Sequence, residues 1–151
     1  MKRLLLLTVF AILTSLTTMA QDEIVLECSY SSNQSYKTLL VLNSSGGEAV
    51  SVAGEKKCHY DLSFKPMGDH IIILANNASL EGWVDDIYII SVLSEDESRC
   101  FVVSPAMSDG NNFAKLKVDR INDSAEIAAK KREYGLLGGS GGFGSGKSSG
   151  K

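Results

Sequence analysis

Short runs of alternating apolar and polar residues set the fold of this chain. Cys58, Tyr60, Leu62 and Phe64 alternate with His59, Asp61, Ser63 and Lys65. A period of two puts one set on each side of an extended backbone, so this segment predicts a strand with one buried face. Ile24 to Tyr30 repeats the pattern, with Ile24, Leu26, Cys28 and Tyr30 on one side. Further runs cover Tyr36–Leu42, Ala49–Ala53, His70–Ala75, Asp86–Leu93, Arg99–Ser104 and Phe113–Ile121. The Asp86–Leu93 run is dense in Ile and Val and reads as buried on both faces. Turn clusters separate the runs, among them Asn43–Gly47 and Pro66–Asp69. About eight short strands with no long helix between them predict an all-β sandwich or barrel.

The composition changes after Ile121. Asp123-Ser124-Ala125-Glu126 has the spacing of a helix start, Lys130, Lys131 and Arg132 suit a helix C-terminus, and Gly135 can end it. Residues 122–134 therefore predict one short basic helix. From Gly135 to Lys151, eight of seventeen residues are glycine. Such a segment buries too little apolar surface to offset its conformational entropy, and it is expected to be a disordered tail. The expected organisation is residues 1–20 as a leader, 21–121 as the β-domain, 122–134 as the helix and 135–151 as the tail.

The leader is read from three features. Lys2 and Arg3 precede the apolar run Leu4–Leu13, and Thr18-Met19-Ala20 places small residues at a cleavage site. That is the pattern of a secretory signal, and the run is short of the ~20 apolar residues that span a bilayer. The chain is thus expected to be secreted or periplasmic after cleavage near Ala20, with no membrane span in the mature part. Losing residues 1–20 removes two positive charges and no acid, which moves the net charge from −3 to −5. Residues 21–121 carry a net of −7. An acidic body speaks against nucleic acid, whose phosphates need a basic face, and fits a basic protein as partner.

Three cysteines remain: Cys28, Cys58 and Cys100. In an oxidising compartment, one disulfide and one leftover thiol are expected. An up-and-down meander puts Cys28 and Cys58 at the same end of the sheet, both pointing inward, which predicts a Cys28–Cys58 bridge. A further strand over residues 80–84 would shift that count and open pairings with Cys100. The spacing contains no CxxC pair, so zinc is disfavoured.

Catalytic patterns are sparse. His59 and His70 each lie beside an acid, and a small exported hydrolase would use one of them. A hairpin over Pro66–Asp69 would pair Lys65 with His70 and hold the two histidines ~20 Å apart, too far to share a metal. No nucleophile elbow occurs, and nothing in the chain implies a cofactor. Gly141 to Ser148 spells a phosphate-loop spacing, but in low-complexity sequence with no strand before it and no helix after it. Trp83, the single tryptophan, reads first as a core residue; as an exposed aromatic it forms, with Asp85 and Asp86, the candidate binding surface. By position, Asp85 and Asp86 should point to opposite faces of a strand.

The opening Ile24-Val25-Leu26-Glu27-Cys28-Ser29-Tyr30, followed by a second strand and a glycine-rich turn, resembles small periplasmic lysozyme inhibitors of the membrane-bound and C-type kind. That resemblance implies an eight-stranded barrel with a cysteine in an early strand. It covers about thirty residues and is carried by strand pattern. The lysozyme-contacting loop motif of those proteins is absent, so no site residue is carried over. The expected function is a non-enzymatic binding protein of inhibitor or immunity type acting on a protein partner. The alternatives are the small hydrolase and an envelope structural or assembly component.

Overall fold

The structure is a computed structural model, which describes residues 23–30, 35–91, 99–105 and 113–136. The leader, the phosphate-loop spacing and the tail beyond Leu136 lie outside the described residues. Eight strands form: β1 (Ile24–Tyr30), β2 (Tyr36–Asn43), β3 (Gly46–Ala53), β4 (Lys56–Met67), β5 (His70–Asn76), β6 (Asp86–Ser91), β7 (Phe101–Val103) and β8 (Phe113–Ile121). Each pairs antiparallel with its neighbour in sequence, and β8 returns to β1, as in Val25 opposite Ile121. Of the two architectures the sequence allows, the chain takes the closed barrel. Closure gives every strand a neighbour on both sides, so no strand is a free edge along its whole length.

Local chemistry fixes the register. Between β2 and β3 the turn is only Ser44 and Ser45, braced by Asn43 Oδ1, which accepts from the Ser45 amide at 2.9 Å and from its hydroxyl at 2.7 Å. Strand β3 therefore starts at Gly46, earlier than its β-branched run suggests. Gly47 has φ 149°, and a Cβ there would lie 2.0 Å from the Val41 carbonyl oxygen, so only glycine fits. The β4–β5 hairpin is tighter than expected. Met67, and not Lys65, faces His70, and Lys65 faces Ile72. Gly68, at φ 62°, makes a two-residue turn with Asp69. Pro66 remains in the strand because pairing with β3 ends at Leu62, so its missing N–H leaves no bond unmade on that side.

Inward residues fill the barrel. Its lower half is aliphatic, with Leu26, Leu42, Ile73, Ile90 and Val118 all buried. A second cluster sits outside the wall. Val25, Leu39, Val41, Val50 and Ile121 point outward and are covered by Tyr134 and Leu136, at the end of the C-terminal helix α1 (Ser124–Tyr134). Asp123 caps this helix by accepting from the Glu126 amide, and Gly135, at φ 81°, ends it in the left-handed conformation. Gly135 and Leu136, which the composition places in the tail, belong to the packed chain.

Both-face burial therefore falls on β1–β3 and not on β6. On β6, Tyr88 and Ile90 are buried, whereas Ile87 faces out at 38 % exposure. Among the described residues, no element covers that side as α1 covers the opposite wall.

Candidate binding site at the barrel mouth

One end of the barrel is built differently from the aliphatic end. Strand β1 finishes there at Tyr30, β2 starts there at Tyr36, β6 starts there at Asp86, and β7 runs into Ser104. Tyr60 of β4 points in from the same half and is buried. All five side chains have inward parity, so the pleat aims them at a common centre. Barrel mouths are frequent ligand sites, and an eight-stranded interior is just wide enough for side chains or for one small group.

The segment from Asn77 to Asp85 folds over this end. Asn77 at φ 59° and Gly82 at φ 81° turn the chain, and the Trp83 amide donates to the Leu80 carbonyl at 3.1 Å. Several bonds tie the segment to β4, among them Asn77 Nδ2 donating to Asp61 Oδ2 at 2.9 Å. The Ser79 amide donates to the His59 carbonyl at 3.0 Å, and the His59 amide donates to Ser79 Oγ at 2.8 Å. These bonds place Trp83 on Tyr36, with ring centroids 5.7 Å apart and planes 21° from parallel. Tyr36 in turn meets the edge of Tyr30 at 4.8 Å.

Asp85 and Asp86 point to opposite faces. Asp85 is exposed and accepts from the Ala78 amide at 3.3 Å, which closes the segment. Asp86 is turned inward and is only 5 % exposed. Ser104 hydrogen-bonds to its carboxyl group, while its Oδ1 has no hydrogen-bond partner. Burial pushes this carboxyl above the usual carboxylate range, the Ser104 bond offsets part of that, and the charge of Asp85 adds to it. Beneath lies a satisfied polar chain. The Tyr88 hydroxyl donates to Thr38 Oγ1 at 3.2 Å, and Thr38 shares a 2.8 Å bond with Ser51. Among the described residues, the orphaned Oδ1 is thus a local exception in an otherwise bonded interior.

The cysteines do not form the expected bridge. Cys28, Thr38, Ser51 and Cys58 occupy one row across β1 to β4. Two strands separate the cysteines, which puts them about 14 Å apart along the sheet. A disulfide needs Cα atoms within ~7 Å. The meander, its shared end and the inward parity are as expected; the lateral separation is what the sequence argument omitted. No disulfide links Cys28, Cys58 or Cys100, and all three are buried.

The histidines lie at opposite ends. His59 is eight residues along β4 from Met67, the partner of His70, or about 26 Å. His70 Nδ1 sits 2.7 Å from Asp69, which also pairs with Arg99. Among the described residues, no three His, Cys, Asp or Glu side chains converge as metal ligands do.

Of the three residues expected to form a surface, Asp85 is exposed, Trp83 is half-buried on Tyr36, and Asp86 is buried inside the mouth. Tyr30, Tyr36, Tyr60 and Ser104 belong to it as well and were not singled out from the sequence. Their inward parity was legible; their convergence depends on closure of the barrel. No family model, curated protein or solved structure matches this chain.

Proposed function

We propose that this chain is an exported, non-enzymatic binding protein of inhibitor or immunity type that holds a basic protein partner at the barrel mouth. The observation that carries the reading is the acidic, tryptophan-bearing segment folded over a buried carboxyl group. Residues 77–86 contain Glu81, Asp85 and Asp86 and no lysine or arginine. The acids of this segment favour the approach of a cationic surface. A partly buried tryptophan stacked on tyrosine is the kind of rigid anchor that carries interface energy. The signal pattern of residues 1–20 supports export, and the acidic body supports a basic partner over nucleic acid.

Zero-length carbodiimide coupling tests this in envelope extract. Such coupling joins carboxylates to amines in contact. The reading expects a basic protein joined through Glu81 or Asp85, with the yield reduced by Trp83→Ala. Coupling that maps only to distant acids such as Asp119, or that ignores the Trp83 change, would contradict it.

A further inference from the structure

We infer that the group the mouth receives is a single primary ammonium on an unbranched alkyl stem, such as a lysine side chain, pairing with Asp86 Oδ1 beneath Trp83 and Tyr36. This rests on the binding reading above and supplies the chemistry of what is bound.

The argument starts from the orphaned oxygen. Asp86 is 5 % exposed, and its Oδ1 lacks a donor. A buried carboxylate needs a donor, and a charged donor best offsets the loss of water. Among the described residues, no lysine, arginine or histidine is paired with Asp86. The neighbouring charge is Asp85, which repels it. With no cation among the described residues to answer it, that place is assigned to a cation from outside the chain.

Geometry narrows that cation. Ser104 already hydrogen-bonds to the carboxyl group, which leaves one oxygen, Oδ1, buried and without a donor. A guanidinium fork is best matched by two open oxygens, whereas an ammonium is a point charge that needs one. Trp83, Tyr36 and Tyr30 form a continuous aromatic wall from the surface inward. Such a wall suits methylene groups, and aromatic faces also attract ammonium. Glu81 and Asp85 at the rim favour approach of positive charge.

The same ammonium can belong to a protein lysine or to a free alkylamine, and the test separates them. Trp83 is the only tryptophan, so its fluorescence reports the mouth directly. Titration of the protein with n-butylammonium should give a saturable change. n-Butanol should give none, and n-butylguanidinium should bind about tenfold more weakly. Asp86→Asn should weaken n-butylammonium by about tenfold or more while Trp83 emission stays native. Should that variant not fold, Ser104→Ala serves instead. It opens the second oxygen and should erase the preference over n-butylguanidinium. Equal binding by wild type and Asp86→Asn, an unchanged preference in Ser104→Ala, or no saturable change in wild type would overturn the inference. A lysine peptide that binds more tightly than n-butylammonium, and fails once acetylated, assigns the group to a protein. Equal affinity assigns it to a free amine, which supports the inference and removes the protein partner. A basic protein cross-linked at Glu81 or Asp85 regardless of Asp86→Asn would do the reverse.

Discussion

Asp86 and Glu27 are both withdrawn from water, yet they titrate in opposite directions. For Glu27, burial pushes the carboxyl up, but hydrogen bonds from Tyr134 and Lys130 and the Lys130 charge outweigh it and hold it below the usual range. Asp86 has Ser104 alone, and burial wins. The tyrosines facing Asp86, namely Tyr30 of β1, Tyr36 of β2, Tyr60 of β4 and Tyr88 of β6, are all pushed up by burial and stay neutral as it titrates. A raised carboxyl binds its proton more tightly folded than unfolded. Its contribution is therefore full below the ordinary carboxylate value and is lost as pH rises through the raised one. Asp86→Asn should accordingly match the wild type in acid and exceed it at pH 8 by about 1–3 kcal/mol, read from thermal melts. A gain that is the same at both pH values would show that the buried charge is not its cause. At this scale the sequence was informative in part. The opposed faces of Asp85 and Asp86 follow from the period of two, but the missing partner of Asp86 follows only from the folded interior.

Helix α1 shows how a short element acquires a fixed place. Its limits were legible, because Asp123 and Gly135 carry cap chemistry that local sequence displays. Its destination was not. Leu39–Leu42 and Ile87–Ile90 are both strongly apolar runs, and nothing local says which one has a cover on its outer face. The answer lies in distant contacts. Lys130 Nζ reaches Glu27 at 2.9 Å, the Tyr134 hydroxyl donates to the same oxygen at 2.7 Å, Lys131 pairs with Glu23, and Lys57 Nζ donates to the Glu133 carbonyl at 2.5 Å. Glu27 is thus the main polar attachment of the helix. With its carboxyl held low, its stabilisation is present at neutral pH and lost as pH falls through that lowered value. Glu27→Gln should cost about 1–3 kcal/mol at pH 7 and little in strong acid. Hydrogen exchange should show α1 amides opening first in the variant, ahead of the β1–β8 ladder. Uniform loss of protection across the barrel would mean that the helix and the wall open as one unit.

For the whole molecule, the barrel and its outer cluster make two linked cores. Strand number and succession were visible in the alternation, whereas the pairing of β8 with β1 spans almost the full domain and leaves no local mark. That closure brings Tyr30, Tyr36, Tyr60, Trp83, Asp86 and Ser104 to one end. It also separates Cys28 from Cys58 around the wall, so packing rather than a cross-link holds the described fold. A chain ended at Asn122 would uncover Val25, Leu39, Val41, Val50 and Ile121, with burial of each large side chain worth about 1.5–3 kcal/mol. It should melt far lower or aggregate, whereas a chain ended at Leu136 should melt as the full chain does. A large loss on ending at Leu136 would place a needed contact beyond that residue. The central claim concerns the mouth, and carbon NMR of the Asp86 carboxyl, titrated with and without saturating n-butylammonium, tests it most directly. The account predicts a titration above the ordinary carboxylate range in the free protein and a clear downward move when the amine is present. The same titration with and without the amine would contradict it.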